Sequence, residues 1–275
     1  MNKKLSQLFI CLTLIFCFVF AGCNSKPKGQ LDISANANLG SPESYTMATS
    51  EQQQFLTDYI TADNFSSDVE NYKLTVILSG GDITIASMNG IVQPTQNGFN
   101  LGLKISTSVG SIESAGTIFI KNKVVAIGFE GGFKTQAELA GMFSKFKTTL
   151  PESISEETVE GVDVFTTYNL DFVVASLKEL DFNTQNINVK TSVEGDITRF
   201  EIVQIIEDLG FPIESKTYLV FKNNKLIQCK NNGSLMGLEH EIIIEKTNEN
   251  IEFPNFDEYA ELSYDKFLAN SQIGG

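Results

Sequence analysis

The stretch "FNLGLKISTSV" (99–109) alternates strictly, with Phe99, Leu101, Leu103, Ile105, Thr107 and Val109 on one side and Asn100, Gly102, Lys104, Ser106 and Ser108 on the other. Successive side chains of a strand point to opposite faces, so this pattern predicts a strand with one apolar and one polar face. "INVKTSVE" repeats it with Ile187, Val189, Thr191 and Val193. Such strands belong to an antiparallel sheet that turns one side to water. "IFIKNKVVAI" and "YLVFKNNKLIQC" place short Lys-Asn turns between apolar runs, as β-hairpins do. The whole chain reads as about ten or eleven strands, more than a flat open sheet carries without curling, splitting or closing.

Three segments have helical spacing instead. "SEQQQFLTDYI" sets Ser50 and Gln53 as a capping box ahead of Phe55, Leu56, Tyr59 and Ile60. A second helix is predicted from Thr135, with Glu138 closing its box, through Leu139, Met142, Phe143, Phe146 and Leu150. A third follows Asp171 and carries Val173, Val174, Leu177 and Leu180. The apolar face of a large sheet has to be covered, and these helices are the available cover. The expected fold is α+β: a large incurved, mostly antiparallel sheet with helices over its concave face, as one folded domain over residues 50–275.

Internal similarity adds a further expectation. "GDITIASMNGIVQ" at Gly81 is echoed by "GDITRFEIVQ" at Gly195, and "IESAGTIFIKNK" at Ile112 by "IESKTYLVFKNNK" at Ile213. The offsets are 114 and 101 residues, in the same order. Duplication of a helix-plus-meander unit, about 50–150 and 151–275, would produce both matches and predicts that Gly81–Lys123 overlays Gly195–Lys225. Hairpins built from a limited alphabet also look alike without common origin.

The N-terminus supplies location. Lys3 and Lys4 precede an apolar run from Leu8 to Phe20, and Ala21, Gly22 and Cys23 close the segment with small residues. That is the layout of a secretory signal, shorter than the ~20 residues of a membrane-spanning helix. "FAGC" resembles the lipobox of bacterial lipoproteins, with Phe20 where leucine is more usual. The resemblance implies removal of residues 1–22 and lipidation of Cys23, which anchors the protein outside the cytoplasm at the cell membrane. Residues 24–49, rich in Ser, Asn, Gly and Pro, then read as a tether with a mean reach of about 25–30 Å.

Loss of the signal takes Cys11 and Cys17 with it and leaves Cys229 beside the modified Cys23, so no disulfide staples the mature chain. Stability must come from a core, which about 250 residues can supply. Formal charge is −14, and removal of Lys3 and Lys4 takes it to −16, 18 basic against 34 acidic residues. Phosphate backbones and anionic headgroups repel such a protein, so nucleic acid is excluded as a partner and an acyl anchor has to hold it at a bilayer. Arg199 is the single arginine among nineteen lysines, a bias attributable to an AT-rich coding sequence.

Chemistry is sparse. His240, the one histidine, alternates with Met236, Leu238, Ile242 and Ile244 on an apolar face, while Glu239 and Glu241 point the other way. "EHE" therefore cannot form one metal site from one strand. Cys229 alternates with Ile227 and reads as a buried thiol, not a nucleophile. G-x-S-x-G is absent, and "SKFK" (144–147) and "SYDK" (263–266) match only the permissive S-x-x-K pattern. Glu156 with Glu157 and Asp257 with Glu258 read as solvated surface. The chain is expected to be no enzyme and to need no cofactor or metal.

A lipid anchor, a large antiparallel sheet and covering helices together resemble the LolA/LolB and LppX/LprG half-barrel carriers of lipoproteins and lipids. That resemblance covers roughly residues 50–270, and no functional residue is carried over from it. It implies a hydrophobic ligand or lipid held between sheet and helices. The side chains expected to face it are Phe99, Leu101, Leu103, Ile105 and Val189 from the sheet, Leu139, Met142, Phe143, Phe146, Val173 and Leu177 from the helices, and His240 for a headgroup. The alternative is an envelope protein with a solid core, working through a protein partner.

Overall fold

The computed structural model describes residues 38–61, 71–81, 83–95, 98–109, 112–139, 143–149, 187–208, 211–235 and 238–266. The expected strands are there. β1 is Thr46–Met47, β2 Asn71–Gly80, β3 Ile83–Thr95, β4 Gly98–Val109, β5 Ile112–Lys121, β6 Val124–Gly131 and β7 Lys145–Thr149. β8 is Ile187–Glu194, β9 Ile197–Asp208, β10 Phe211–Lys222, β11 Lys225–Leu235, β12 Leu238–Thr247 and β13 Ala260–Glu261. Among the described residues, the eleven strands from β2 to β12 agree with the ten or eleven expected, and two two-residue strands finish the edges.

All thirteen lie in one open sheet, in the order β1-β8-β9-β10-β11-β12-β2-β3-β4-β5-β6-β7-β13. Two meanders, β8 to β12 and β2 to β7, are joined where β12 pairs antiparallel with β2. Only β13, beside β7, is parallel to its neighbour. We call the end of the sheet where β2 passes to β3 the upper end. Two-residue turns carry much of this topology. Asn122 and Lys123 have φ of 50° and 66°, and Asn223 and Asn224 have φ of 49° and 61°. Positive φ at both central residues matches the right-handed twist of the flanking strands, which is why these turns close hairpins.

Cross-strand pairing arranges one face in rows. Phe200, Leu219, Cys229, Ile244, Leu74, Gly90, Leu103, Ile118, Ile127 and Phe146 are each paired with the next across ten strands, so all share that face. This is the core face. Leu56 and Ile60 of α1 (Ser50–Thr61) join its central cluster. Phe55 lies 5.3 Å, edge to face, from Phe221, and Tyr59 lies 4.8 Å from the same ring. The Leu226 N–H donates to the Tyr59 hydroxyl at 3.2 Å. α1 starts one residue earlier than its cap was expected. Thr49 Oγ1 accepts from Gln52 N (3.3 Å) while Gln52 Oε1 accepts from Thr49 N (2.8 Å), the reciprocal pattern of a capping box.

The second predicted helix is largely corrected. α2 spans Gly132–Leu139, opened by Gly131 at φ 59°, and Lys145–Thr149 is strand. "KFKTT" puts Phe146 and Thr148 on the core face and Lys145 and Lys147 on the other, and β6 offers it a free edge, so the period-two pattern prevails over the helical one. Phe146 is buried, but from a strand. The third predicted helix lies outside the described residues.

The expected overlay of repeats fails. Gly81–Lys123 contains β3, β4 and β5, whereas Gly195–Lys225 contains only β9 and β10. Five antiparallel steps separate β9 from β3, so the two "GDIT" strands run in opposite directions, while six steps make the two "IES" strands parallel. No single rotation satisfies both matches.

Ordered chain begins before residue 50, which corrects the tether boundary. Residues 38–45 cross the face opposite the core. Arg199 Nε donates to the Asn38 carbonyl (2.9 Å) and Nη2 to Asn38 Oδ1 (3.1 Å), and the Asn38 N–H donates to Gln228 Oε1 (3.1 Å). Gly40, at φ 69°, sits against the guanidinium, where a β-carbon would come within 3.3 Å of Cζ. The Tyr45 ring meets Tyr218 edge-on, and burial pushes its phenol up to about 12. β1 then closes the β8 edge. The C-terminal segment does the same for the other meander: Phe253 packs on Phe119, Lys147 pairs with Asp257 and Glu261, and β13 closes the β7 edge.

Candidate functional site on the core face

The row above the apolar one is different in kind. Gln204, Ser215, Gly233, His240, Leu78, Ala86, Thr107 and Ser114 are paired in turn, and between the two rows lie Thr217 and Asn231. Within the C-terminal meander these residues make a polar shelf at the upper end of β9 to β12. His240 Nε2 and Asn231 Oδ1 are 3.2 Å apart. Asn231 Nδ2 donates to Thr217 Oγ1 at 2.9 Å and to Ser215 Oγ at 3.3 Å. Gly233 faces the imidazole directly, and a β-carbon there would overlap the ring. Gln204, Ser215, Asn231 and His240 are all half-buried.

Burial lowers the His240 pKa below its ordinary value, so the ring is neutral at pH 7. The charged side chains that flank the shelf residues along these strands, Glu214, Lys216, Lys230, Glu239 and Glu241, face away, while Lys246, paired with Tyr72, shares the core face at its lower end. Lys230 meets Glu241 at 2.7 Å, Lys216 meets Glu214 at 2.8 Å and Lys190 meets Glu201 at 3.2 Å, all on the opposite face. Glu239 is exposed. No cluster among the described residues could hold a metal ion. The shelf offers donors and acceptors without a charge, beside half-buried Leu78, Ile242 and Ile187.

The expected ligand-facing residues divide. Leu101, Leu103, Ile105 and Val189 lie on the core face as read, but are only 4–6% exposed and form part of the packed cluster. Phe99 packs against that cluster and is half-buried. Phe143 was expected to cover the sheet, yet it is 55% exposed and lies between α2 and β7. A residue just beyond a helix end no longer inherits that helix's facing. Leu139 is the last residue of α2. Met142, Val173, Leu177 and Cys23 lie outside the described residues. Ser215, Thr217 and Asn231 were not anticipated; read with the alternation of "ESKTYLVF" and "QCKNNGS", they share the face of Leu219 and Cys229, and that was the available signal.

No family model matches this chain, and no curated protein is significantly similar to it.

Proposed function

We propose that this chain is a lipid-anchored, extracytoplasmic, non-catalytic binding protein that holds a hydrophobic ligand against the upper core face of β9 to β12. The observation that carries the reading is the polar shelf: a half-buried hydrogen-bonding group set above an apolar wall is the arrangement an amphipathic ligand needs. The anchor rests on the sequence around Cys23. Replacing Cys23 with Ser should abolish acyl labelling and release the processed protein from membranes. Continued membrane partitioning after cleavage at the normal site would sink the anchor.

A second reading has an observation of its own. The near-complete burial of Leu101, Leu103, Ile105 and Val189 suits a core at ordinary packing density, and with it an envelope protein that works through a protein partner. Native mass spectrometry of the full chain, purified in mild detergent, separates the two. A retained lipid supports the ligand-binding reading. Recovery without ligand, and without saturable binding of any fluorescent acyl-chain probe, leaves the packed-core reading standing.

A further inference from the structure

The composition of the shelf selects a class of headgroup, an inference that rests on the ligand-binding reading above. We infer that the shelf takes an uncharged group bearing hydroxyls or ester carbonyls, joined to an apolar chain, and discriminates against phosphate and carboxylate headgroups. Gln204, Ser215, Thr217, Asn231 and His240 can both donate and accept, which suits hydroxyls and carbonyls. None of them brings a cation. Of the lysines on these strands, Lys216 and Lys230 flank the shelf, but they lie across the sheet and are paired there with Glu214 and Glu241, and Lys246, on the core face, is six residues from His240 toward the lower end. An anionic headgroup brought onto the shelf would lose water and meet no counter-charge there, a desolvation penalty left uncompensated. The chain's net charge of −14 adds long-range repulsion to that penalty.

Size agrees with the chemistry. From β9 to β12 the shelf crosses three strand spacings, about 14 Å. That width accommodates a glyceryl ester or a sugar ring with its hydroxyls spread along the row. Half-buried Leu78 and Ile242 adjoin His240 on the same face and would meet the first carbons of the chain.

The test is competition. The full chain in mild detergent is loaded with a fluorescent acyl-chain probe, then titrated with a diacylglycerol, a monohexosyl diacylglycerol and a phosphatidylglycerol of identical acyl chains. At least one of the two neutral lipids should displace the probe at a concentration at least tenfold below that of phosphatidylglycerol. Asn231→Leu should reduce that preference to under threefold while probe binding persists. Equal displacement by all three lipids in the unmutated protein overturns the headgroup assignment and leaves the ligand-binding reading intact. Absence of probe binding overturns both.

Discussion

Arg199 is 2% exposed, and among the described residues it is held by a backbone carbonyl and an amide oxygen of Asn38 and by the Glu194 carboxylate at 3.2 Å. Composition alone made this residue look incidental, because its principal partner is 161 positions away in sequence. Arg199→Met should cost about 2–3 kcal/mol, since Asn38 would be left with two unanswered acceptors and the Gly40 contact would be lost. Denaturant midpoints measure the loss, and faster hydrogen exchange confined to residues 38–49 would locate it. His240 carries a pH signature. Its pKa is lowered in the fold and lies near 6.5 in an unfolded chain, so between those values only the unfolded chain binds the proton. Stability therefore falls as pH drops through that window and levels off below the lowered value. His240→Gln should lose less stability than the unmutated protein between about pH 7.5 and pH 5.5. Equal losses in urea midpoints would contradict a buried neutral imidazole. At Cys229 the sequence was sufficient: the thiol is buried and its pKa pushed up by desolvation, as alternation with an apolar neighbour suggested.

Among the elements, strands were more legible than helices. A strand's alternation survives whatever its partners are, and both Lys-Asn hairpins fall where the turn residues put them. Helical spacing is weaker evidence over a few turns. Leu139, Met142, Phe143 and Phe146 fit an i, i+3, i+4, i+7 stripe, yet the last of them belongs to β7. The α1 cap was misplaced by one residue because "TSEQQQ" offers two overlapping boxes and only tertiary placement chooses between them. Thr49→Ala should therefore destabilise by about 1 kcal/mol and Ser50→Ala by much less. The reverse order in thermal unfolding would restore the Ser50 cap. The shelf was half-legible: His240 could be placed on the core face, and the β10–β11 turn sets the register of its hydroxyl and amide partners, but bringing them to His240 also needs the pairing of β11 with β12.

At the scale of the molecule, the sequence predicted a sheet but not the order of its strands. Short repeats suggested two equivalent halves, whereas the β12–β2 junction sets the C-terminal meander before the N-terminal one and reverses the direction of its "GDIT" strand. Each terminus finishes the edge of the meander more distant in sequence, β1 on β8 and β13 on β7. Unpaired edges invite strand pairing between molecules, and very short edge strands are one way of blunting them. Beginning the soluble chain at residue 50 rather than 38 should lower its melting temperature and promote self-association, read by size-exclusion chromatography with light scattering. Identical behaviour of the two chains would show the 38–49 segment to be dispensable.

That segment also has a mechanical meaning. Among the described residues the first contacts with the sheet are those of Asn38, and fourteen positions lie between it and Cys23. Tension from a membrane anchor would enter the sheet through Arg199 and Gln228, near the lower ends of β9 and β11, and spread across the meander before it reached α1. The shelf lies on the other side of the sheet, several residues further along the same strands.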